Sequence, residues 1–457
     1  MTESQWTLWL DARRAMKEGP EGIARRQRTR LAEHVASARA GSPYYREMYR
    51  DLPQRVEDST LLPVTSKKKL MARFDDWCTD REVTLEKVRA FVDDPALVGQ
   101  RFLGRYLVGT TSGASGNRGL FVQDDRELNV QNVIAGRGYA ASLRPGDYLR
   151  LLTHGMRTAQ LVATGGHYIG HAGFVRVTTD SWWRRKVIRS MSVHRPLPEL
   201  VAALQELRPA MLVGYASTIK VLAGEQAAGR LRIDPVLVAP AGETMTSGDL
   251  EFMGSAFHAK VHTVYAATEC TYLTYGCPHG WYHVNNDWAI AEPVDADYQP
   301  TPPGEWAHTV LITDLANRVQ PILRYDIEDR VLLNPDPCRC GSPLPALRVE
   351  GRSGDTLTFP TESGEQRTLT PLAFGTLFDR TPGIELFQLA QIKPDTLRVR
   401  LQLTGDVAPE QVWRRVHDEL TRLLTGNDLG NVVIEHGEEP PERAPGGKYR
   451  AVLPLAE

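Results

Sequence analysis

Helix-like segments alternate with short apolar segments along residues 124–350, and this alternation restricts the fold more than any other feature of the sequence. The helix-like segments are 126–142, 197–207, 216–229 and 247–257. Each is followed by a strand-like run, and these runs are 148–153, 210–213, 235–238 and 261–265. Strands separated by helices of this length are typical of βαβ units. The sequence therefore predicts an α/β fold with a largely parallel sheet.

The pattern changes after the stretch Gly351-Arg-Ser-Gly-Asp355. Beyond it, 397–403 alternates as a strand does, 409–424 is amphipathic with a helical period, and 431–436 favours a strand again. A chain of 457 residues is also long for a single hydrophobic core. We therefore expect a large amino-terminal domain of βαβ units with mixed sheets, residues 1–351, and a small, mobile α+β domain, residues 352–457.

Charge and composition exclude several kinds of partner. The formal net charge of −2 gives no electrostatic reason to expect binding to nucleic acid or to an anionic membrane. No apolar run approaches the roughly 20 residues of a membrane span, and the first residues lack the pattern of a signal peptide. We therefore expect a cytoplasmic protein. The sequence leaves its oligomeric state open, a homodimer included.

A loop rich in glycine and hydroxyl side chains lies between two strand-like runs, 106–108 and 120–123. Residues 109–119 contain four glycines and four Ser or Thr residues, which can turn sharply and aim N–H and hydroxyl groups at one point. Such a concavity suits a polyphosphate. A Walker-type loop would open a helix, whereas Gly116 is followed by Asn117, Arg118 and another strand-like run. A strand–loop–strand clamp is predicted, with a hairpin that binds nothing as the alternative.

Polar side chains follow the predicted strands, at the edge where open α/β sheets bind their ligands. The residues at these positions are His154, Tyr215, Gly242-Glu243 and Thr268-Glu269. Glu269 could hold Mg²⁺, which takes oxygen ligands, and Tyr265 could lie flat on a base. The alternative is a capped strand end with a solvated glutamate.

Two further segments carry charged groups that suit nucleotide chemistry. Residues 324–330 hold three acids and two arginines, and one ionised carboxylate could chelate a ribose diol. Lys448, between Gly447 and Tyr449 in a Pro/Gly-rich loop, offers a compact ammonium for charge on a phosphoryl oxygen. Read alone, the first segment is equally a salt-bridged turn and the second a solvated lysine.

Four of the five cysteines fall in two clusters, and an odd, sparse set in a large chain argues against a disulfide framework. Three thiolates and one imidazole make a tetrahedral zinc set, and four ligands with no open position favour a structural metal. The predicted ligands are Cys277, His283, Cys338 and Cys340. His279 and Cys270 are substitutes that the sequence leaves open, as it does reduced thiols that bind no metal.

Read in order, these motifs resemble the adenylate-forming superfamily of acyl-CoA synthetases, adenylation domains and luciferases, and within it the phenylacetate–CoA ligase-like branch. The Ser-Pro-Tyr-Tyr stretch at 42–45 and the Cys-x-Cys-Gly stretch at 338–341 are similar to that branch, some members of which carry zinc there. The sequence departs from the superfamily pattern at Asn117 and Arg118, where Lys and Pro are usual, and at Ala266, where Gly is usual.

The resemblance implies a role for each motif. It implies that Thr111, Ser112, Gly113, Ala114, Ser115 and Gly116 hold phosphates. It further implies that Gly242 and Glu243 line the adenine, together with Tyr265, Ala266 and Thr268 of Tyr265-Ala-Ala-Thr-Glu269. Asp329 of the Arg324-Tyr segment then binds the ribose, Arg352 of the Gly-Arg-x-x-Asp motif is a cofactor-binding residue, and Asp355 of that motif is the hinge between the domains. Lys448 is catalytic together with Glu269.

The activity that the resemblance implies is ATP-dependent activation of a carboxylic acid to an acyl-adenylate, then transfer to the thiol of coenzyme A. An aromatic or otherwise compact acid is expected, with His154, Tyr215 and residues 164–171 near its acyl pocket. A carrier-protein phosphopantetheine or an amine is the alternative acceptor, and a catalytically silent nucleotide- and zinc-binding protein is the alternative from another class. The expected ligands are thus ATP, Mg²⁺, coenzyme A and Zn²⁺.

Overall fold

The computed structural model describes residues 3–111, 119–164, 166–243, 245–352, 357–369, 374, 377–378, 381, 383–404, 407–443 and 449–455. The helices are α1 (Gln5–Gly41), α2 (Pro43–Met48), α3 (Lys67–Ala72), α4 (Phe74–Trp77), α5 (Leu85–Val92), α6 (Asp125–Ser142), α7 (Pro145–Thr153), α8 (Ile169–Thr179), α9 (Trp182–Val187), α10 (Leu197–Leu207), α11 (Ala216–Ala227), α12 (Ser247–Phe257) and α13 (Pro409–Thr425). Short 3₁₀ turns lie at Ser59–Leu61 and Pro95–Leu97.

The strands form several sheets. They are β1 (Thr65–Ser66), β2 (Leu107–Thr110), β3 (Leu120–Gln123), β4 (Thr158–Val162), β5 (Ile188–Ser192), β6 (Met211–Tyr215), β7 (Leu237–Ala241), β8 (Lys260–Val261), β9 (Thr274–Gly276), β10 (Tyr282–Val284), β11 (Ala289–Val294), β12 (Thr309–Asp314), β13 (Tyr325–Asp326), β14 (Asp329–Leu333), β15 (Ala346–Arg352), β16 (Leu357–Pro360), β17 (Gln366–Leu369), β18 (Ile384–Lys393), β19 (Thr396–Leu403), β20 (Val433–Gly437) and β21 (Val452–Leu453).

The predicted parallel sheet is confirmed. It has five strands in the order β5-β4-β6-β7-β8, and every neighbouring pair is parallel. Helices α10, α11 and α12 occupy the predicted positions between its strands, and their apolar faces pack with those strands in one hydrophobic cluster. Nearly all side chains of β4 and β7 are buried, as expected when helices cover both faces of a parallel sheet.

The prediction of a strand at 148–153 was wrong, because this segment is the second half of α7. Pro145 stands in the first turn, and the Asp147 carboxylate accepts a hydrogen bond from the Arg144 backbone N–H at 2.8 Å. Leu149 and Leu152 are 64% and 66% exposed, so the apolar run does not enter the core. The sheet instead uses β4 and β5, which the sequence reading did not identify. The predicted strand at 261–265 also ends early, at Val261.

The predicted strand–loop–strand unit is confirmed as the antiparallel pair β2 and β3. Its root lies against the loop that follows β4, because the Thr110 backbone N–H donates to the His167 carbonyl at 2.7 Å. Two further sheets of this part of the chain have four strands each, in the orders β1-β13-β12-β11 and β14-β15-β10-β9. The amino-terminal helices pack on them around Trp77 and Trp288.

The carboxy-terminal residues form a separate α+β unit. Strands β18 and β19 are antiparallel, β20 and β21 flank them in the order β20-β19-β18-β21, and α13 packs its apolar face against them. This cluster of buried side chains draws on residues 357–452 alone. The mixed α/β fold class is therefore confirmed. Over the described part of the chain, no helix is both long enough and apolar enough to cross a membrane.

Candidate functional site

The carboxyl edge of the parallel sheet brings together three of the predicted positions. Tyr215 is the last residue of β6, while Gly242 and Glu243 directly follow β7. Gly242 has a φ of 80°, a left-handed conformation that glycine adopts without strain. The ring of Tyr215 lies beside Tyr168 and Glu243, and burial, followed by the Glu243 charge, raises the pKa of Tyr215 to about 12. The phenol therefore stays neutral at this edge.

The Glu243 side chain is only 2% exposed and has four polar neighbours. It accepts hydrogen bonds from the Ser217 backbone N–H at 2.7 Å and the Ser217 hydroxyl at 3.1 Å. It also accepts one from the Tyr449 backbone N–H at 2.6 Å, and a guanidinium nitrogen of Arg443 lies 3.9 Å away. Burial raises the pKa of Glu243, while the hydrogen bonds from Ser217 and Tyr449 oppose that rise. This carboxylate thus joins the parallel sheet to the carboxy-terminal unit.

The segment Tyr265–Glu269 contacts the segment Arg324–Asp329 at two points. The Tyr265 hydroxyl donates to an Asp329 carboxylate oxygen at 2.7 Å. The Tyr325 hydroxyl donates to a carboxylate oxygen of Glu269 at 2.9 Å. The Thr274 hydroxyl oxygen accepts from the Tyr265 N–H at 3.0 Å and donates to the Tyr265 carbonyl at 2.8 Å, which fixes the backbone of the tyrosine. Ala266 is exposed and Thr268 half-buried in the same loop.

The remaining predicted nucleotide contacts are only partly described. Thr111 accepts a hydrogen bond from the Gly119 N–H on its hydroxyl at 2.8 Å, which closes the base of the β2–β3 loop. Arg352 ends β15, and its backbone is the cross-strand partner of Asp329. The positions that lie outside the described residues are Ser112, Gly113, Ala114, Ser115, Gly116, Asn117, Arg118, Asp355 and Lys448.

His154 is not part of this edge. It directly follows α7 and precedes β4, so it lies at the amino-terminal edge of the sheet, opposite Tyr215. Its imidazole contacts the Arg150 carbonyl at 2.7 Å and an Asp234 carboxylate oxygen at 3.3 Å. The expectation that His154 and Tyr215 share an acyl pocket depended on a strand at 148–153, and it fails with that strand. The loop after β4, which carries His167 and Tyr168, does lie beside Tyr215.

The four predicted metal ligands form one cluster, with all donor atoms within 4.8 Å of one another. The sulfurs of Cys277 and Cys338 are 3.7 Å apart, and His283 Nε2 lies 3.1 Å from the Cys340 sulfur. A zinc–sulfur bond of about 2.3 Å gives a tetrahedral edge of about 3.8 Å, which matches the sulfur separation. His279 is exposed and Cys270 is buried in the core, and neither belongs to this cluster.

The surroundings of the cluster leave one imidazole nitrogen available to a cation, whereas burial opposes the ionisation of a thiol. His283 Nδ1 lies 3.0 Å from the Leu344 carbonyl, which can only accept, so Nδ1 carries the proton and Nε2 keeps its lone pair. Gly280 and Gly341, each three residues after a cysteine, have φ values of 72° and 80° and form tight turns. Burial, reinforced by the two neighbouring thiols, raises the pKa of Cys340 to about 11.

Strand β10 connects this cluster to the segment Tyr265–Glu269. His283 belongs to the cluster, and its neighbour Tyr282 packs with Tyr265 at a ring-centroid distance of 6.2 Å. Successive side chains of a strand point to opposite faces. Strand β10 therefore contributes His283 to the Cys/His cluster and Tyr282 to the contact with Tyr265.

Sequence reasoning missed three residues of this region, namely Ser217, Arg443 and Tyr449. Ser217 lies in the first turn of α11, and no motif marked it. Arg443 and Tyr449 lie on either side of residues 444–448 in the sequence, and they pair with each other as an isolated antiparallel bridge. Their position next to a candidate lysine was the one signal in the sequence that could have indicated them.

Comparison with known proteins identifies the fold. No protein-family model and no curated protein sequence matches the chain. Among solved structures, 2-hydroxyisobutyryl-CoA ligase in the postadenylation state, in complex with R3-HIB-AMP, has a TM-score of 0.68 at 18% identity. The match covers 95% of this chain and 89% of that chain. This chain therefore has the fold of the adenylate-forming ligases, which confirms the fold that the resemblance implied.

The same ligase in other states matches with lower scores. In complex with 2-HIB-AMP and CoA in the thioesterification state it has a TM-score of 0.54 at 19% identity, over 95% of this chain and 89% of that chain. An open conformation with 2-HIB-AMP and CoA has a TM-score of 0.53 at 17% identity, over 96% and 91%. The TM-score is thus higher against the postadenylation state than against either of these two states.

Proposed function

We propose that this protein is an AMP-forming acid–thiol ligase. A carboxylate oxygen of the substrate attacks the α-phosphorus of ATP, and pyrophosphate leaves. The sulfur of coenzyme A then attacks the acyl carbon of the acyl-adenylate, and AMP leaves. No protein nucleophile is required, because the substrate carboxylate is the nucleophile. The protein has to position the reactants and neutralise charge.

The observation that carries this proposal is the contact between Tyr265–Glu269 and Arg324–Asp329. Two segments about 60 residues apart come together through the Tyr265–Asp329 and Tyr325–Glu269 hydrogen bonds. A salt-bridged turn would not require the tyrosine of one segment to meet the acid of the other. The pairing supports one nucleotide site, in which Tyr265 lies against the base and the Asp329 carboxylate accepts from the ribose diol.

Phosphate binding in this proposal belongs to the β2–β3 loop. Thr111 and residues 112–116 hold the β- and γ-phosphates, with Gly242 at the adenine. Glu269 fits a magnesium ligand, because it is half-buried and one carboxylate oxygen is oriented by Tyr325 while no described residue bonds the other. Magnesium, when bound, neutralises phosphate charge.

Two domains alternate between the half-reactions in this proposal, residues 1–351 and residues 352–457. Lys448 neutralises charge at the α-phosphate while the small domain is docked. Rotation about Asp355, beside Arg352, then clears the site for the thiol. The TM-score of 0.68 against a postadenylation-state ligase supports a docked arrangement in this structure.

The proposed substrate is a small carboxylic acid, with an aromatic acid as the finer form of the proposal. Tyr215 and the loop after β4 are the described residues that support an acyl pocket at the carboxyl edge.

ATP–pyrophosphate exchange across a panel of carboxylic acids, with coenzyme A withheld, tests the first half-reaction. Exchange with at least one acid is expected, followed by acyl-CoA formation when coenzyme A is added. Exchange without acyl-CoA would indicate a carrier-protein or amine acceptor. Absence of exchange with every acid would contradict the proposal and favour a silent nucleotide-binding protein.

We also propose that Cys277, His283, Cys338 and Cys340 bind a structural zinc ion. The 3.7 Å sulfur separation and the oriented imidazole support it. Metal analysis of purified protein is expected to find about one zinc per chain. Cys340→Ser should lower that content, whereas Cys78→Ala, a change of a buried thiol outside the cluster, should not. Equal zinc content in both variants would contradict the site.

A further inference from the structure

We infer that Glu243 is a positioning residue that fastens the carboxy-terminal unit to the parallel sheet for adenylation. The inference rests on the proposed function for its catalytic consequence and on the described contacts for its structural one. The resemblance implies only that this segment lines the adenine. In the structure, the Glu243 carboxylate is instead occupied by protein groups from two separate parts of the chain.

The first group of contacts holds the carboxylate in place. Ser217 lies in the first turn of α11, where backbone N–H groups lack partners within the helix. Glu243 accepts from this N–H and from the Ser217 hydroxyl, so the end of β7 is tied to the beginning of α11. A negative charge is also favourable at the amino-terminal end of a helix. These contacts lie within the sheet and its helices and do not depend on the carboxy-terminal unit.

The second group of contacts comes from the carboxy-terminal unit. The Tyr449 N–H donates to Glu243 at 2.6 Å, and Arg443 Nη1 donates to the Ser217 hydroxyl at 2.8 Å. Arg443 and Tyr449 are bridge partners; Tyr449 contacts the Glu243 carboxylate, and Arg443 contacts the Ser217 hydroxyl and lies near the same carboxylate. The carboxy-terminal unit is thereby held through two residues, Arg443 and Tyr449, at the carboxyl edge of the parallel sheet.

The hydrogen bond between the Tyr449 N–H and Glu243 also bears on the proposed catalytic lysine, Lys448. Lys448 directly precedes Tyr449 in the sequence, so the anchored residue is the covalent neighbour of the proposed lysine. A buried carboxylate is stable only while its donors are present. When the carboxy-terminal unit moves away, Glu243 loses the Tyr449 N–H and Arg443 but keeps Ser217. The carboxylate therefore favours the docked arrangement without touching a substrate.

Hydrogen–deuterium exchange of the full-length protein tests the anchor without any substrate. In Glu243→Gln and Glu243→Ala, we expect the Tyr449 amide to exchange about 10- to 100-fold faster, because a hydrogen bond to a charged acceptor is lost. Glu385→Gln is the matched control. Glu385 is a partly buried acid of β18 that lies near Lys220 and Glu225 of α11, and its replacement should leave the Tyr449 amide unchanged. An unchanged Tyr449 amide in both Glu243 variants would overturn the inference.

A second variant separates anchoring from damage to the fold. Amides of β4 and β6 should exchange at wild-type rates in Glu243→Gln. If they exchange faster, the Arg443→Met variant provides the deciding measurement. This change removes the contact of the carboxy-terminal unit with Ser217 and Glu243 without altering a residue of the sheet. Faster exchange at Tyr449 in Arg443→Met supports the anchor, and unchanged exchange rejects it.

The two half-reactions give the catalytic test. With an acid that supports exchange in the wild type, Glu243→Gln should slow ATP–pyrophosphate exchange about 10- to 100-fold. Transfer from the synthetic acyl-adenylate of that acid to coenzyme A should change less than about threefold, because it does not use the docked state. Equal loss in both half-reactions, or a raised KM for ATP with unchanged hydrogen exchange, would overturn the positioning role. If no acid supports exchange in the wild type, the proposed function fails while hydrogen exchange still decides the anchor.

Discussion

The two edges of the five-stranded parallel sheet are built from the same strands but differ in what they gather. At the carboxyl edge, Tyr215 and Glu243 are buried and meet the loop after β4 and the carboxy-terminal unit. At the amino-terminal edge, His154 and Asp234 line an open cavity of about 630 Å³, together with Arg157, Arg208 and Arg232. Both edges carry an acid near a basic group, but only the first excludes water from its acid.

The difference follows from the direction of the strands. In a parallel sheet the helices that follow the strands begin at the carboxyl edge, so their free N–H groups converge there on one side. Glu243 uses one of these groups, on Ser217. The amino-terminal edge receives helix ends with free carbonyls, which suit cations such as the arginines found there. A polar residue near a strand thus says little about function until its edge is known.

The largest expected effect is a loss of stability when alanine replaces a closely packed glycine at the carboxyl edge, compared with the same change at an unpacked glycine at the amino-terminal edge. A Cβ on Gly214 would lie 2.1 Å from the Leu161 carbonyl oxygen, whereas one on Gly229 would meet nothing within 4 Å. Gly214→Ala should therefore lower the free energy of unfolding by about 3 kcal/mol or more. Gly229→Ala, at a φ of 74°, should cost only about 1 kcal/mol. Urea denaturation of both variants measures the difference, and equal midpoints would break the comparison.

An acid near each edge gives the second test. Asp329→Ala removes the proposed ribose acceptor and should lower kcat/KM for ATP about 10- to 100-fold, since hydrogen bonds to a charged group are lost. Asp234→Ala and His154→Ala break the contact between these two residues at the amino-terminal edge and should change kcat/KM less than about twofold. A loss of kcat/KM in the Asp234 or His154 variant comparable to that of Asp329→Ala would indicate that the substrate binds at the amino-terminal edge, against the proposal.

The smallest expected effect concerns His262, which follows β8 at the carboxyl edge. Burial lowers the pKa of His262 to about 4, below its usual value of 6.5. Its contribution to stability is therefore present above pH 6.5 and is lost as the pH falls toward 4. His262→Asn keeps a partner for the Ser142 hydroxyl, which lies 2.8 Å from Nδ1. The wild type should lose roughly 2 kcal/mol more than this variant between pH 7.5 and 4.5. Equal losses in urea denaturation would show that His262 does not titrate as its burial implies.

Sequence patterns within a few residues correctly predicted several helices, strands and turns. Helix α12 begins and ends as its amphipathic period indicated, and β3 occupies its predicted residues. The Cys/His ligand set was predicted from spacing and tight-turn residues, because the two halves each form a short turn of their own. The segment at 148–153 failed because Leu149 and Leu152 look like core residues although both are exposed. Composition cannot distinguish a surface helix with apolar side chains from a buried strand.

The sequence by itself determined the α/β class, the parallel sheet with its later helices, the strand–loop–strand unit and a Cys/His metal set in which His279 and Cys270 stayed open as substitutes. Only the tertiary structure decided that His283 rather than His279 joins the cysteines, that His154 lies at the far edge, and what Glu243 binds. The physical reason is distance along the chain. Periodicity and turn residues act over a few positions, whereas Glu243 meets Tyr449 about 200 residues later, through a backbone N–H that every residue except proline carries.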